Sequence, residues 1–418
     1  MMVQLSDDCF SVGSALMTVE EAVALIAERL PIVAGIETAP LMRADRRIAA
    51  EDSFAQSDLP PFANSAVDGY AVRHADLAPE GETVLRVSGR LAAGATHSES
   101  AAESAVRVFT GAPMPKFADT VFMQEDVQRD GDFVTLPAGL RKGSNMRPAG
   151  EDVARGARII EAGRRLRAQD LALAAATGMD RIAVRQKLRV AIFSTGDELA
   201  EAGAQLAPGA IYESNRVLVS TLLTRLGSEV SDLGILRDDP KALSRALSAA
   251  APNHDLILTT GGVSTGEEDH VKTVVDELGG MMFWRLAIKP GRPLAMGKIG
   301  ETPIVGLPGN PAAVYVTLAL FVRPLLARLG GATFVRLVPQ EVRSTFKAKK
   351  RLGRREYVRV SVSRAADGVL EARKFPKEGA GLLTSLTESD GLAELGDTVK
   401  NTVPGDMIAF YPHELLWS

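Results

Sequence analysis

Apolar and polar positions alternate along this chain with a period that changes from segment to segment, and those changes divide it. Near the start, TVEEAVALIAERL puts Val19, Val23, Ile26 and Leu30 on one face at helical spacing, with Thr18 and Glu21 spaced as a capping box. That predicts a first helix. From Ile36 to Gly150, short β-type runs (TVLRVSG, AVRVFTG, DTVFMQED, DFVTLP) are broken by Gly, Pro and Asp, which predicts a separate β-rich domain. Residues 163–186 read as a helix and a short strand that pack back against the first helix. The β-rich domain, 36–150, is then an insertion, and 14–35 with 151–186 form a discontinuous helical linker domain.

Between Lys187 and Gly331 four apolar runs (RVAIFS, VSDLGIL, DLILTT, PIVGL) are each followed by an amphipathic helical pattern. This alternation predicts βαβ units, hence an open α/β domain over 187–331 with a parallel sheet and helices on both faces. From Ala332 to Ser418, alternation in EYVRVSV, VLEARKF and DMIAFYP predicts a small C-terminal β domain. A basic run, KAKKRLGRR, reads as a solvated hairpin turn. The fold class expected is α/β plus β, in several domains.

Composition narrows the classes. The 418 residues are 46% apolar and 24% charged, as in an ordinary globular protein, and a net charge of −4 argues against nucleic acid as a partner. Cys9 is the single cysteine, so no intrachain disulfide or thiolate metal site is expected. The N-terminus lacks signal-peptide features, and the apolar run from Pro311 stops at Arg323, short of the roughly 20 residues that span a bilayer. A cytoplasmic protein without a membrane partner is expected. The five histidines show no ligand spacing.

Candidate chemistry lies in the loops after the apolar runs, because ligands of open α/β sheets bind at the carboxyl ends of the strands. These loops are STGDE (194–198), RDD (237–239), TTGGVSTGEEDHVK (259–272) and GLPGNP (306–311), with IKPGRP (288–293) between two strand-like runs. Gly261 and Gly266 have P-loop spacing, yet Glu267 and Glu268 stand where Lys and Ser/Thr would be. Acids converging on one edge suit a hard cation such as Mg²⁺, and Lys289 with Arg292 suits an oxyanion. The plainer alternatives are caps and turns: Asp239 and Asn310 are good N-caps before proline, and Pro290-Gly291 fits a type II turn. Three further polar loops, PPFANSAVDGYAVR, FTGAPMPKFADT and GSNMRPAGED, are either Pro/Gly turns or site loops.

Taken together and in order, NSAVDGYAVR, FTGAPMP, NMRPAGED, STGDEL, TTGGVSTGEEDHVK, AIKPGRP and GLPGNPAA resemble the molybdopterin molybdenumtransferases, the MoeA and gephyrin E-domain family. The resemblance covers nearly the whole chain. It implies four domains in an elongated homodimer, a MogA-like α/β domain that binds the pterin, and an active site shared between subunits. The implied reaction takes adenylylated molybdopterin and molybdate, inserts molybdenum and releases AMP with a divalent cation, Mg²⁺. A molybdopterin adenylyltransferase and molybdoenzymes are the implied partners.

Carried over by motif, Asp68 and Thr110 would come from the partner's β domain, with Asp152 near them. Glu198, Asp238 and Asp269 would form the acidic, metal-holding set, and Lys289 the main cation. Gly261, Gly262, Ser264 and Gly266 would bring backbone donors to the substrate. Pro308, Gly309, Asn310 and Pro311 would shape the last loop, and Ser385 lies in a family-like segment. Arg292 and Arg285 stand where lysine is usual, which keeps the charge but changes its geometry. Pro148 and Ala149 replace arginines found in some members. A gephyrin-like scaffold or peptide-binding module is the rival reading, and a tungstate-handling paralogue a third.

Overall fold

The computed structural model describes residues 16–95, 103–237, 239–261 and 270–417. The chain forms two compact units, one of Thr38–Asp45 and Glu51–Val184, the other comprising the chain up to Glu37, Arg46–Ala50 and Arg185 onward.

Helix α1 (Val19–Arg29) begins at Thr18, whose hydroxyl accepts the Glu21 N–H at 3.1 Å while the Glu21 carboxylate accepts the Thr18 N–H at 2.8 Å. The capping box read from the sequence is therefore present. Its buried residues, Ala22 and Ile26, join the core of the second-named unit.

The first-named unit is built on a six-stranded sheet: β1 (Gly69–Val72), β2 (Thr83–Leu91), β3 (Ser104–Val108), β4 (Thr120–Met123), β5 (Gln128–Asp130) and β6 (Phe133–Leu136), in the order β4-β1-β3-β2-β6-β5. The β-rich reading of this segment holds. Helix α2 (Ala168–Ala176) also belongs to this unit. It packs against the strand Arg158–Ile160 and the turn Leu41–Arg43. At its start the Asp170 carboxylate, almost fully buried, accepts the Arg167 N–H at 3.0 Å and pairs with the Arg167 guanidinium at 2.9 Å.

In the other unit β7 (Arg189–Thr195), α3 (Asn215–Arg225), β8 (Glu229–Leu236), α4 (Pro240–Ala250), β9 (Leu256–Thr260), α5 (His270–Leu278), β10 (Met281–Arg285), β11 (Pro293–Ile299), β12 (Thr302–Leu307) and α6 (Pro311–Leu329) follow the predicted alternation. The sheet order is β8-β7-β9-β12-β11-β10. Four strands are parallel as expected, and β11 and β10 extend the sheet antiparallel. Along β7, Val190 and Ile192 enter one core while Ala191 and Phe193 enter another with Leu243 and Val274. A strand buried on both faces is why RVAIFS reads as a continuous apolar run.

Helix α6 continues through Arg323 and Pro324 to Leu329, and 78% of its most apolar window is buried in the fold, as in a core helix. The N–H that Pro324 lacks falls at the end of a π-helical stretch, Leu318–Val322, where the regular bonding pattern is already displaced. The C-terminal strands β13 (Gln340–Ser344), β14 (Arg355–Arg364), β15 (Leu370–Lys374), β16 (Gly391–Leu395) and β17 (Met407–Pro412) form a second sheet. The KAKKRLGRR run is less solvated than expected: Lys350 is 7% exposed and donates to the Arg354 carbonyl at 2.6 Å, because the turn 351–354 wraps its ammonium.

The Arg167 guanidinium holds the Asp170 carboxyl below the usual carboxylate range. That stabilisation is complete above the unfolded value, about 3.9, and is lost as pH falls through the lower folded value. Asp170→Asn is expected to lower the thermal unfolding midpoint at pH 7, by about 1–3 kcal/mol in stability. Circular dichroism melts should show the gap to wild type closing as pH drops below about 4.

Candidate functional site

The parallel register pairs Thr195 with Leu236, Ser194 with Thr260 and Thr260 with Leu307 at the carboxyl ends of β7, β8, β9 and β12. The loops that begin at Gly196, Arg237, Gly261 and Pro308 therefore leave from one edge. Exposed Glu198 turns its carboxylate over Gly196, where an added Cβ would lie 2.6 Å from Oε2. Gly261 has φ of +88°, and a Cβ there would sit 2.6 Å from the Thr195 carbonyl oxygen, so close backbone approach requires glycine. Its own N–H is engaged by the Leu307 carbonyl at 3.3 Å. Asp239 caps α4 by accepting the Lys241 N–H at 3.0 Å, as its plainer reading held.

Asp238, Gly262, Ser264, Gly266 and Asp269 lie outside the described residues. Among the described residues no group of three or more His, Cys, Asp or Glu is placed to hold a metal ion, so Glu198 by itself does not build a divalent-cation site.

Beneath this edge runs a buried polar layer that the sequence reading passed over. Ser194 Oγ donates to Glu213 at 3.0 Å and lies 2.7 Å from Thr260 Oγ1. Glu213 also accepts the Arg216 N–H at the start of α3, at 3.0 Å. Asn215 donates to the Gly309 carbonyl at 2.7 Å. The signal was the polar quartet ESNR, which follows no apolar run and so escaped a search for strand-end loops.

The IKPGRP and GLPGNP loops meet the C-terminal sheet around a cavity of about 390 Å³. It is lined by Lys289, Arg292, Arg354, Arg359, Lys374 and Lys377 against two carboxylates, Glu356 and Glu378. Lys289 pairs with Glu356 at 3.2 Å and Arg354 with the same carboxylate at 2.7 Å. Arg359 differs from both: its guanidinium donates to Ser385 Oγ at 3.1 Å and to the Gly379 carbonyl at 2.9 Å, both neutral, and among the described residues no carboxylate lies within ion-pair distance. Burial pulls its pKa below the ordinary arginine value, although arginine remains charged. Glu378 partly offsets this from longer range, and a partly desolvated guanidinium with no direct ion pair favours an anion.

Pro308 and Asn310 line the same cavity. Asn310 stands at the N-cap of α6 but its side chain makes no capping bond, which leaves it to face the cavity. The peptide before Pro290 is cis, and Gly291 has φ of +101°. Ser385, fully buried, accepts the hydrogen bond from Arg359. The structure thus brings together Lys289, Arg292, Pro308, Asn310 and Ser385, with Gly309 and Pro311 adjoining. Arg285, exposed at the end of β10, is not among the lining residues.

In the β-rich unit the three polar loops converge. Met146–Arg147 pairs with Asn64–Ser65, and Gly111 N–H donates to the Ser65 carbonyl at 2.8 Å. Asp68 Oδ1 accepts both the backbone N–H and the hydroxyl of Thr110, at 2.8 and 2.9 Å. These bonds hold the Asp68 carboxyl below its ordinary range. Exposed Asp152 donates its N–H to the Leu59 carbonyl at 2.9 Å beside the first of these loops.

Comparison with known proteins gives three family matches: the MoeA N-terminal region (domain I and II) over residues 17–178, the probable molybdopterin binding domain over 191–328, and the MoeA C-terminal region (domain IV) over 341–413. The molybdopterin molybdenumtransferase of Haemophilus influenzae is 37% identical over 400 residues, covering 95% of this chain and 98% of its own length. The chain belongs to the molybdopterin molybdenumtransferase, or MoeA, family. Another member, the molybdopterin molybdenumtransferase of a Nostoc species, is 35% identical over 374 residues, 87% of this chain and 86% of that one. A crystal structure of the molybdopterin biosynthesis moeA protein from Pyrococcus horikoshii matches with a TM-score of 0.81 at 30% identity, over 95% of this chain and all of that one. Membership places the chain in molybdenum cofactor biosynthesis.

The cavity floor depends on Gly291. A Cβ there would lie 2.5 Å from Thr317 Oγ1, on a backbone conformation that L residues rarely adopt. Gly291→Ala is expected to cost about 1–3 kcal/mol of stability. Adding Thr317→Ala should recover part of that loss by removing the clash while the backbone strain stays. Paired thermal melts of the single and double variants check this.

Proposed function

We propose that the protein inserts molybdenum from molybdate into adenylylated molybdopterin and releases AMP. Arg359 carries this reading: a half-buried cation with no carboxylate at ion-pair distance among the described residues, in a cavity with six cationic and two anionic side chains, suits a small dianion. Tetrahedral molybdate is the substrate of that description in this family. Lys289, Arg292 and Arg359 would hold it, with Ser385 and the Gly379 carbonyl fixing the guanidinium plane beforehand.

The adenylylated pterin would lie along the strand-end edge, with Glu198, Asp238 and Asp269 as the expected holders of Mg²⁺. In the transfer an oxygen of molybdate adds to the adenylyl phosphorus as the anhydride P–O bond breaks, so AMP carries that oxygen away, and two dithiol sulfurs replace two molybdate oxygens, the second leaving as water with the two thiol protons. The cavity's part is to present the oxyanion in one orientation and to offset its charge. Asp68, Thr110 and Asp152 serve the same reaction in a homodimer with a shared site. The four-domain division and a cytoplasmic location belong to the same proposal.

The test is to supply purified protein with adenylylated molybdopterin, molybdate and Mg²⁺ and to follow AMP. Molybdate-dependent AMP release is expected from the wild type, and its absence would overturn the reading. Arg359→Ala should lower the rate roughly a hundredfold. Asp269→Asn should lower it sharply, and chelation of Mg²⁺ should stop it.

A further inference from the structure

We propose that Glu356 is a resident counter-anion of the cavity, which competes with the incoming oxyanion for Lys289 and thereby sets how tightly the substrate is held. This rests on the oxyanion assignment above. The Glu356 side chain is 11% exposed, yet both its oxygens are engaged by separate cations, Oε2 by Lys289 at 3.2 Å and Oε1 by Arg354 at 2.7 Å. Buried Lys350 adds a third positive charge whose field Glu356 shares. The strand register fixes this arrangement, since Ile288–Lys289 pairs in parallel with Arg355–Glu356 and places Lys289 opposite the carboxylate.

The cavity therefore holds two kinds of cation. Arg359 is hydrogen-bonded by neutral partners and feels Glu378 only at longer range, so an anion gains it without breaking an ion pair. Lys289, whose side chain is 58% exposed, is already neutralised, and an oxyanion gains it only by drawing it away from Glu356. The carboxylate also repels the dianion directly. Both effects raise the free energy of the bound ground state. A site that must pass its oxyanion on to sulfur gains from this, because substrate held too tightly faces a higher barrier to transfer.

Glu356→Gln keeps the shape and an acceptor for Arg354 but removes the charge. Equilibrium dialysis of the full chain with molybdate should show about tenfold tighter binding than wild type, the scale expected when one nearby like charge is removed under solvent screening. In AMP release the same variant should lower KM for molybdate and kcat together, the pattern of a lost ground-state destabilisation. Structural damage would raise KM instead. Binding by wild type that vanishes in Arg359→Ala secures the cavity as the site; without it, the oxyanion assignment fails and this proposal fails too. If wild type binds through Arg359 while Glu356→Gln, with its melting midpoint preserved, binds equally or more weakly, the role of Glu356 alone is overturned. Should Glu356→Gln not fold, Glu356→Asp, which shortens the reach to Lys289, should bind somewhat more tightly than wild type, and looser binding would overturn the proposal.

Discussion

The cationic cavity depends on a two-residue strand pairing. Ile288 and Lys289 run parallel to Arg355 and Glu356, and the Arg355 N–H donates to the Ala287 carbonyl at 2.9 Å. Through this short ladder a loop of the α/β sheet is joined to the C-terminal sheet. Without it Lys289 would be a solvated lysine on a Pro/Gly turn, the plainer of its two sequence readings. With it, Lys289 faces a buried carboxylate, and Arg359 lies four residues after Arg355 on the same strand. A long loop cannot hold charges in fixed register against their solvation, whereas paired backbone can.

Ile288 of that pairing shares a core with an aromatic clasp. Trp417 Nε1 donates to Tyr315 Oη at 2.6 Å, and Tyr315 Oη lies 2.6 Å from His413 Nδ1. Ser389 completes the chain at His413 Nε2, 3.0 Å away. Burial pushes the Tyr315 hydroxyl up to about 12 and pulls the His413 imidazole down, so both stay neutral and bonded near neutrality. Tyr315 belongs to α6, which GLPGNP initiates, and Trp417 shares the core that also includes Tyr357 and Leu392. The loop above the cavity and the strand below it are thus anchored to one apolar core.

Charge is unevenly distributed between the glycine-rich loop and the cavity. TTGGVSTGEEDHVK lacks the lysine of a nucleotide loop, and the positive charge of this unit is concentrated elsewhere, in the cavity around Arg359. Glycine at 261 answers to the Thr195 carbonyl and to a positive φ, a demand of strand packing at the edge.

The sequence alone determined what local physics controls. Periodicity marked α1 with its Thr18–Glu21 box, the β-rich segment and the four βα repeats, because each element's burial is written in its own residues. Lys289, Arg292, Pro308 and Asn310 were legible because they sit in loops that follow or flank apolar runs. Tertiary structure decided the rest. Arg359 and Glu356 look like ordinary polar positions of an alternating strand, and KAKKRLGRR looks like a solvated turn. Only long-range contact shows that Arg359 has no direct ion pair among the described residues, that Glu356 has two, and that Lys350 is buried. Helix α6 likewise ran past Arg323 and Pro324 because the surrounding core, with its π-helical turn, overrode local breakers. A charge's significance depends on which other charges the fold sets within a few ångströms of it, and that distance is not a property of sequence spacing.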